Sequence, residues 1–380
     1  MTNGKLLERV RDLVPDIRER AANTERQRRV PEHTIRELAD AGVFRMLQPR
    51  RFGGDESSPV KFFEVIRAIA AACPSTGWVA SVFGTHAWQL ALFPLETQHD
   101  VWSHNPDALI STSYVPAGTL TPVDGGFELS GRWGFSSGCD HADWVMVGAL
   151  APGVDGAPGI HLTLLVPCGD YRIDDVWHAV GLSGTGSHDI VIDKAFVPVH
   201  RTHDAELHNA ELGGVPSDVP ALYRLPFTSI LPSGVAAPVI GAAQGAYAAY
   251  LERMRQRAIA TDPFTHVHIA RAASEIDAAI LQMDRNLSEE LRYAEAGEDI
   301  PIELRLRARR DQVRGTERAV EAIELLFRIS GGRGAHTPNV VERHWRDAHA
   351  GSLHLANAAE RALANFGRGE LELPVEDRIL

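Results

Sequence analysis

Cysteine is scarce in this chain: Cys73, Cys139 and Cys168 are the only three in 380 residues, and none has a second cysteine at metal-ligand spacing. A disulfide framework and a cysteine-held zinc are thereby disfavoured, and a reducing cytoplasm is the expected compartment. The first thirty residues are charged throughout and lack the apolar run of a signal peptide, and no later run has the length of a membrane span. Export and membrane insertion are therefore not expected. Positive charge is in deficit, with 38 Lys and Arg against 50 Asp and Glu and a formal charge of -12. That opposes nucleic-acid binding, although a local basic pocket can still accept a phosphate.

Several motifs are missing too. No GKS or GKT phosphate loop, HExxH pair or internal repeat occurs, and no glycine-rich turn follows a first strand as a dinucleotide fold requires. GFSSG at 134–138 fits the GxSxG pattern. It lies among short strands, without the strand-turn-helix setting of a nucleophile elbow.

The hydrophobic period divides the chain into three parts. Residues 1–106 read as a helical domain: Leu6, Val10, Leu13, Val14 and Ile17 form one stripe, Pro31 suits a first helical turn, and Gly42 offers a stop. Phe62, Phe63, Ile66 and Ile69 mark a further helix, before an apolar stretch from Trp78 through Phe93. Residues 107–215 alternate in short runs such as GGFELSGRW, WVMVGAL, HLTLLVP and HDIVIDKAFVPV, which predict a small β domain. Residues 151–159, APGVDGAPG, read as a hairpin connection. Residues 216–380 return to the helical period, with small residues that let helices approach closely and room for a bundle of four long helices. The tail FGRGELELPVEDRIL loses that pattern and is expected to reach across a neighbour.

Two loops of the middle part could meet a planar polar ring. The first, Gly131 to Gly138, offers backbone amides, Ser136, Ser137 and the indole of Trp133; the other reading is a sheet edge with Trp133 in the core and the serines completing a turn. The second, Gly181 to His188, carries glycines and the hydroxyls of Thr185 and Ser187, and reads equally as an ordinary hairpin. His86 lies in the apolar SVFGTHAWQLALF, where a neutral, partnered imidazole can act as a base or simply be a satisfied core residue. Ser111 and Ser113 share one side of an extended segment. His349 and His354, five apart, make a poor metal pair on one helix, and no metal is expected.

The stretches LQPRRFGG, CPSTGWVASVFGTHAWQLALFP, SGRWGFSSGCDHADW, GLSGTGSHDIVIDKAFVP and ERHWRDAHAGSLHLAN, in that order, resemble the acyl-CoA dehydrogenase fold superfamily. Within it the chain is similar to the two-component flavin-dependent monooxygenases that hydroxylate phenolic or polycyclic compounds. The resemblance implies a mainly α fold: an N-terminal helical domain, a middle β-barrel-like domain and a C-terminal four-helix bundle. Dehydrogenases of this fold follow an arginine-aspartate pair with a tyrosine and a catalytic glutamate before a glycine-threonine. Counted from Arg346 and Asp347, those positions hold His354, Leu355, Ala356 and Asn357, and leucine cannot accept a proton. The arginine-rich turn toward the adenine half of FAD is replaced by ATDPFTHVHIA. The resemblance thus favours reduced FMN, with reduced FAD as the alternative, and O2 as co-substrate through a flavin C4a-hydroperoxide. It places Trp133, Ser136, Ser137, Thr185, Gly186 and Ser187 around the cofactor. The reacting centre falls to His86, Ser113 and His354, with Ser111 and His349 as the competing choices. It also implies an NAD(P)H-dependent flavin reductase as partner, a small aromatic substrate, a secosteroid phenol among the candidates, and a homotetramer. The alternatives are other flavin-dependent oxygenation, an FAD-dependent acyl-CoA dehydrogenase-like enzyme, and a helical ligand-binding protein.

Overall fold

The computed structural model describes residues 3–151, 159–204, 219–256, 262–336 and 338–375. Helices come first: α1 (Asn3–Gln27), α2 (Glu32–Ala41), α3 (Pro59–Ala72), α4 (Pro74–Leu90) and α5 (Leu95–Trp102). Gly42 ends α2 at φ 89°, and its N–H is bonded to the carbonyls of Leu38 and Ala39, a left-handed cap that a side chain adopts only with strain. α4 is buried along nearly its whole length, which explains why its sequence shows no polar face. It can lie this deep because α3 comes very close: a Cβ on Gly77 would stand 2.6 Å from the Cα of Ala70.

Strands β1 (Ile110–Val123), β2 (Gly126–Ser136), β3 (Trp144–Ala151), β4 (Ile160–Pro167), β5 (Arg172–Asp174), β6 (His188–Pro198) and β7 (Thr202–His203) form one sheet in the order β5-β6-β2-β1-β3-β4-β7. β1 is its hinge, pairing in parallel with β3 through residues 110–113 and antiparallel with β2 through residues 119–123. The two halves close over a shared core of Leu129 and Trp133 from β2, Val145 and Val147 from β3, Val166 from β4 and Ile190 from β6. Met146 and Leu165 point the other way, onto Ala87, Leu90, Phe93 and Trp102 of the helical part. That double burial makes the WVMVGAL run apolar on both faces. Most of the expected connection at 151–159 lies outside the described residues, but β3 and β4, which it would join, are antiparallel neighbours.

The C-terminal part consists of α6 (Phe227–Arg255), α7 (Pro263–Ala296), α8 (Ile302–Ile329), α9 (Val340–Ser352) and α10 (Ala359–Glu370). The small residues of α6 serve the close approach expected of them: a Cβ on Gly241 would meet the Arg67 carbonyl oxygen at 2.6 Å. Asp262 caps α7 by accepting the N–H groups of Phe264 and Thr265. The first five residues of the tail, Phe366 to Glu370, belong to α10, whose buried residues Ala362 and Asn365 lie just before them. Residues 376–380 lie outside the described residues. Among the described residues no helix is long and apolar enough to cross a membrane.

Among the described residues, one buried carboxyl group of the bundle lacks a regular hydrogen-bond partner. Glu290 on α7 is fully buried, and neither of its oxygens has a hydrogen bond of normal geometry. Burial raises its pKa from 4.5 to about 8, while Ser229 and Arg305 are near enough only to oppose the shift. The folded state therefore holds a proton that the unfolded state releases near its ordinary pKa. The resulting stabilisation is complete below that value and is lost as pH rises toward about 8. From roughly pH 5 to 8 this one group is expected to lower stability by up to about 1.4 kcal/mol per pH unit. Glu290→Gln should give a shallower fall in urea midpoint over that interval than the parent, and equal slopes would refute the assignment.

Candidate functional site

The two expected loops meet, and α4 runs alongside them. The first begins with a bulge: Trp133 of β2 faces Ile190 and Ser136 faces His188, so β2 carries one more residue than β6 over this interval. Phe135 occupies the bulge at φ 67° and is 71% exposed, which turns Ser136 and Ser137 inward. The second loop contains a short 3-10 turn, Ser183–Thr185, flanked by Leu182 at φ 52° and Gly186 at φ 55°. Its Thr185 carbonyl accepts the N–H of Gly138 at 2.8 Å, tying the two loops together.

Hydroxyl groups fill the junction. Thr185 Oγ1 donates to the Leu182 carbonyl at 2.8 Å and lies 2.7 Å from Ser187 Oγ. Ser187 Oγ is in turn 2.7 Å from Ser137 Oγ, which accepts the indole N–H of Trp78 on α4 at 3.1 Å. Ser136 donates to Ser111 at 3.0 Å. Underneath, α9 latches the second loop, for Asp347 Oδ1 accepts the Leu182 N–H at 2.6 Å and Arg346 donates to the Val180 carbonyl at 2.9 Å. Burial pushes the Asp347 pKa up to about 7, against the opposing pull of the Leu182 N–H and of Arg346.

Trp133 requires a correction. Its indole is fully buried in the sheet core, crowded against Gly118 and Gly131, and donates to the Gly148 carbonyl at 2.8 Å. No ring face is open for stacking, because two glycines on adjacent strands leave the space that the indole fills. Ser113 differs from expectation as well. Its hydroxyl donates to the Gly134 carbonyl at 2.7 Å, so its proton ties β1 to the first loop and is not free for a ligand.

His86 is 2% exposed on α4 and packs against the ring of Tyr114, centroids 5.9 Å apart. Burial lowers its pKa to about 3; the Val82 and Ile110 carbonyls oppose this, yet Nδ1 has no hydrogen bond of normal geometry. Beside it on the same helix face, the fully buried Gln89 accepts the Tyr114 hydroxyl and leaves Nε2 without a partner. Two buried polar atoms without a hydrogen bond of normal geometry thus lie three residues apart on α4, and Gln89 is a site residue that the sequence pattern does not single out. A buried Gln three positions from a buried His was the available signal.

His354 is not beside His86. It contacts Trp78, ring centroids 5.9 Å apart, and Trp78 precedes His86 by eight helical residues, about 12 Å along α4. His354 Nδ1 accepts the Ala356 N–H at 3.1 Å, which puts the proton of the neutral ring on Nε2. Crowding by protein lowers its pKa to about 4, although the residue as a whole is exposed. His349 is directed elsewhere, onto Trp345, and donates to that residue's carbonyl at 2.8 Å. Leu355 is 85% exposed in the turn after α9. Among the described residues no group of three or more His, Cys, Asp or Glu side chains could hold a metal ion.

The site combines buried hydroxyls with exposed apolar side chains of Phe135, Val180, Leu353 and Leu355. A flat heterocycle with hydrogen-bonding edges fits such a donor set. Sequence models of the acyl-CoA dehydrogenase N-terminal and C-terminal domains match residues 3–104 and 233–359. The flavin-dependent monooxygenase oxygenase subunit HsaA of Rhodococcus jostii is 44% identical, over 98% of this chain and 100% of its own length. The chain belongs to the oxygenase subunits of two-component flavin-dependent monooxygenases. The oxygenase component of the FADH2-dependent resorcinol hydroxylase of a Rhizobium species is 37% identical over 93% of this chain and 90% of its own. XiaF from a Streptomyces species, solved in complex with FADH2 and glycerol, superposes with a TM-score of 0.93 at 28% identity, covering all of this chain and 98% of its own. This monooxygenase uses reduced flavin with O2 and works with a separate reductase component.

Proposed function

We propose that this oxygenase hydroxylates a phenolic or polycyclic aromatic substrate, with a secosteroid phenol as the specific candidate, and that it takes reduced FMN in preference to reduced FAD from an NAD(P)H-dependent reductase. The reading is supported by His86 Nδ1 and Gln89 Nε2, three residues apart on α4 and both buried without a hydrogen bond of normal geometry. A phenolic oxygen placed between them would satisfy both, since the neutral imidazole accepts the phenol proton and the amide donates to the oxygen left behind. Tyr114, bonded to Gln89, holds that amide in orientation. Trp88, Phe93 and Phe227 supply the flat apolar walls that exclude water from the ring. The bound flavin supplies the electrons and activates the oxygen. Thr185, Gly186, Ser187, Ser136 and Ser137 are the residues that would hold it. A homotetramer is part of the proposal, supported by the long faces of the C-terminal helices.

The chain, reconstituted with a flavin reductase, NADH and FMN, is expected to place one atom of isotopically labelled O2 in a phenol product detected by mass spectrometry. Oxygen consumption that yields only peroxide with every phenol, or desaturation of an acyl thioester without oxygen incorporation, would overturn the assignment. A monomeric mass by light scattering would reject the tetramer.

A further inference from the structure

A residue outside both loops joins them. Trp177 lies half-buried between β5 and the second loop. Its indole N–H donates to the Leu182 carbonyl at 2.9 Å, and its ring meets that of Phe135 edge-on, centroids 6.0 Å apart. Its backbone N–H reaches Nδ1 of His188, the last residue of the second loop, at 3.4 Å. One side chain and its backbone thus touch the bulge of the first loop and the second loop near its start and at its end. Trp177 is in turn held from α1. Arg28, the residue after that helix, donates to both carboxylate oxygens of Asp175 at 2.6 Å and to the Trp177 carbonyl at 3.0 Å. An exposed ion pair alone is worth little, but this one is bidentate and shares its guanidinium with a carbonyl. It is also made from backbone at φ 53°, a left-handed conformation disfavoured for any residue with a side chain. The same corner meets the loops directly: the Val30 carbonyl accepts His141 Nε2 at 2.9 Å, three residues past the first loop, and a Cβ on Gly184 of the second would stand 2.5 Å from Thr24 Cγ2.

We propose that Arg28 and Trp177 form a strut that sets the spacing of the two loops, which makes both of them positioning residues for reduced flavin. The inference rests on the flavin reading of those loops. Arg28 acts through Trp177, and Trp177 acts through Leu182 and Phe135. The strut governs how tightly the cofactor is held and leaves the proposed proton transfer alone, because Trp78, which bonds Ser137 of the first loop, lies about 12 Å along α4 from His86.

The test is the dissociation constant of dithionite-reduced FMN, measured anaerobically on the full chain, beside the urea midpoint of each variant. Trp177→Phe keeps a ring next to Phe135 and removes the N–H to Leu182. It is expected to weaken reduced FMN roughly two- to tenfold, the worth of one hydrogen bond, and saturating reduced FMN should recover the lost single-turnover hydroxylation. Arg28→Ala and Arg28→Gly separate positioning from stability. Both remove the guanidinium, but glycine accepts φ 53° and alanine does not, so the glycine variant should have the higher urea midpoint while both weaken reduced FMN alike. A merely structural role would make affinity follow the midpoint. Affinity that recovers in Arg28→Gly, or parental affinity in a folded variant of either residue, overturns the strut. A parent chain that binds no reduced FMN overturns the flavin reading itself.

Discussion

His86→Asn is expected to lower single-turnover hydroxylation by about a hundredfold or more, the usual worth of a positioned base, while reduced flavin still binds. Asparagine keeps a polar group of similar reach in a site that tolerates no unpaired charge, so the loss reports proton transfer and not collapse of α4. Product and peroxide should be measured side by side. Loss of product with normal substrate binding and no extra peroxide fits a base, and a matching rise in peroxide fits a residue that shields the oxygenated cofactor. Unchanged hydroxylation removes His86 from the chemistry. The pH profile gives a second check. Burial holds His86 near 3, so in the free enzyme it is neutral from well below pH 5 upward. The kcat/KM profile should then show no limb near 6.5 that disappears in the variant.

That His86 sits in an apolar helix was legible because all of α4 but Val82 is buried, and a lone imidazole stands out against it. The succession of helices, short strands and helices was legible for a similar reason: hydrophobic period is a local property. The chain of hydroxyl contacts across the two loops was not. Its Trp78–Ser137 and Ser137–Ser187 bonds join residues 59 and 50 positions apart, and the Asp347 latch spans 165. No local pattern encodes which hydroxyl will face which. Trp133 shows the converse: the resemblance puts it at the cofactor, whereas the structure matches the other reading open in the sequence, an indole in the sheet core. The glycines at 118 and 131 that admit its ring to the core carry no such label in the sequence. A buried indole N–H always needs an acceptor, and that rule applied to Trp78 would have pointed to the serines across the site. The helical start of the tail was hidden for a comparable reason: α10 is only twelve residues long, and two glycines fall within its last turn.

Asp347→Ala should weaken reduced-flavin binding by roughly fivefold to a hundredfold, because it leaves the buried Leu182 N–H without an acceptor at a cost of about 1–3 kcal/mol. Leu182 holds a left-handed backbone conformation and its carbonyl receives both Thr185 Oγ1 and Trp177 Nε1, at 2.8 and 2.9 Å. Unlatching its N–H therefore loosens the very carbonyl on which the hydroxyl chain terminates. Asp347→Asn is the discriminating companion, since an amide oxygen still accepts the Leu182 N–H while the ionisable group is gone. If the latch is what matters, the asparagine variant should bind flavin within a few-fold of the parent and the alanine variant should not. The same pair separates geometry from charge in the pH dependence. The folded-state pKa of Asp347 is raised to about 7, so its contribution to stability is full below its ordinary carboxylate range and is lost as pH rises toward 7. Asp347→Asn should remove that part of the decline while keeping the cofactor, and equal flavin affinity in the alanine variant and the parent would show that α9 does not hold the loop through this residue.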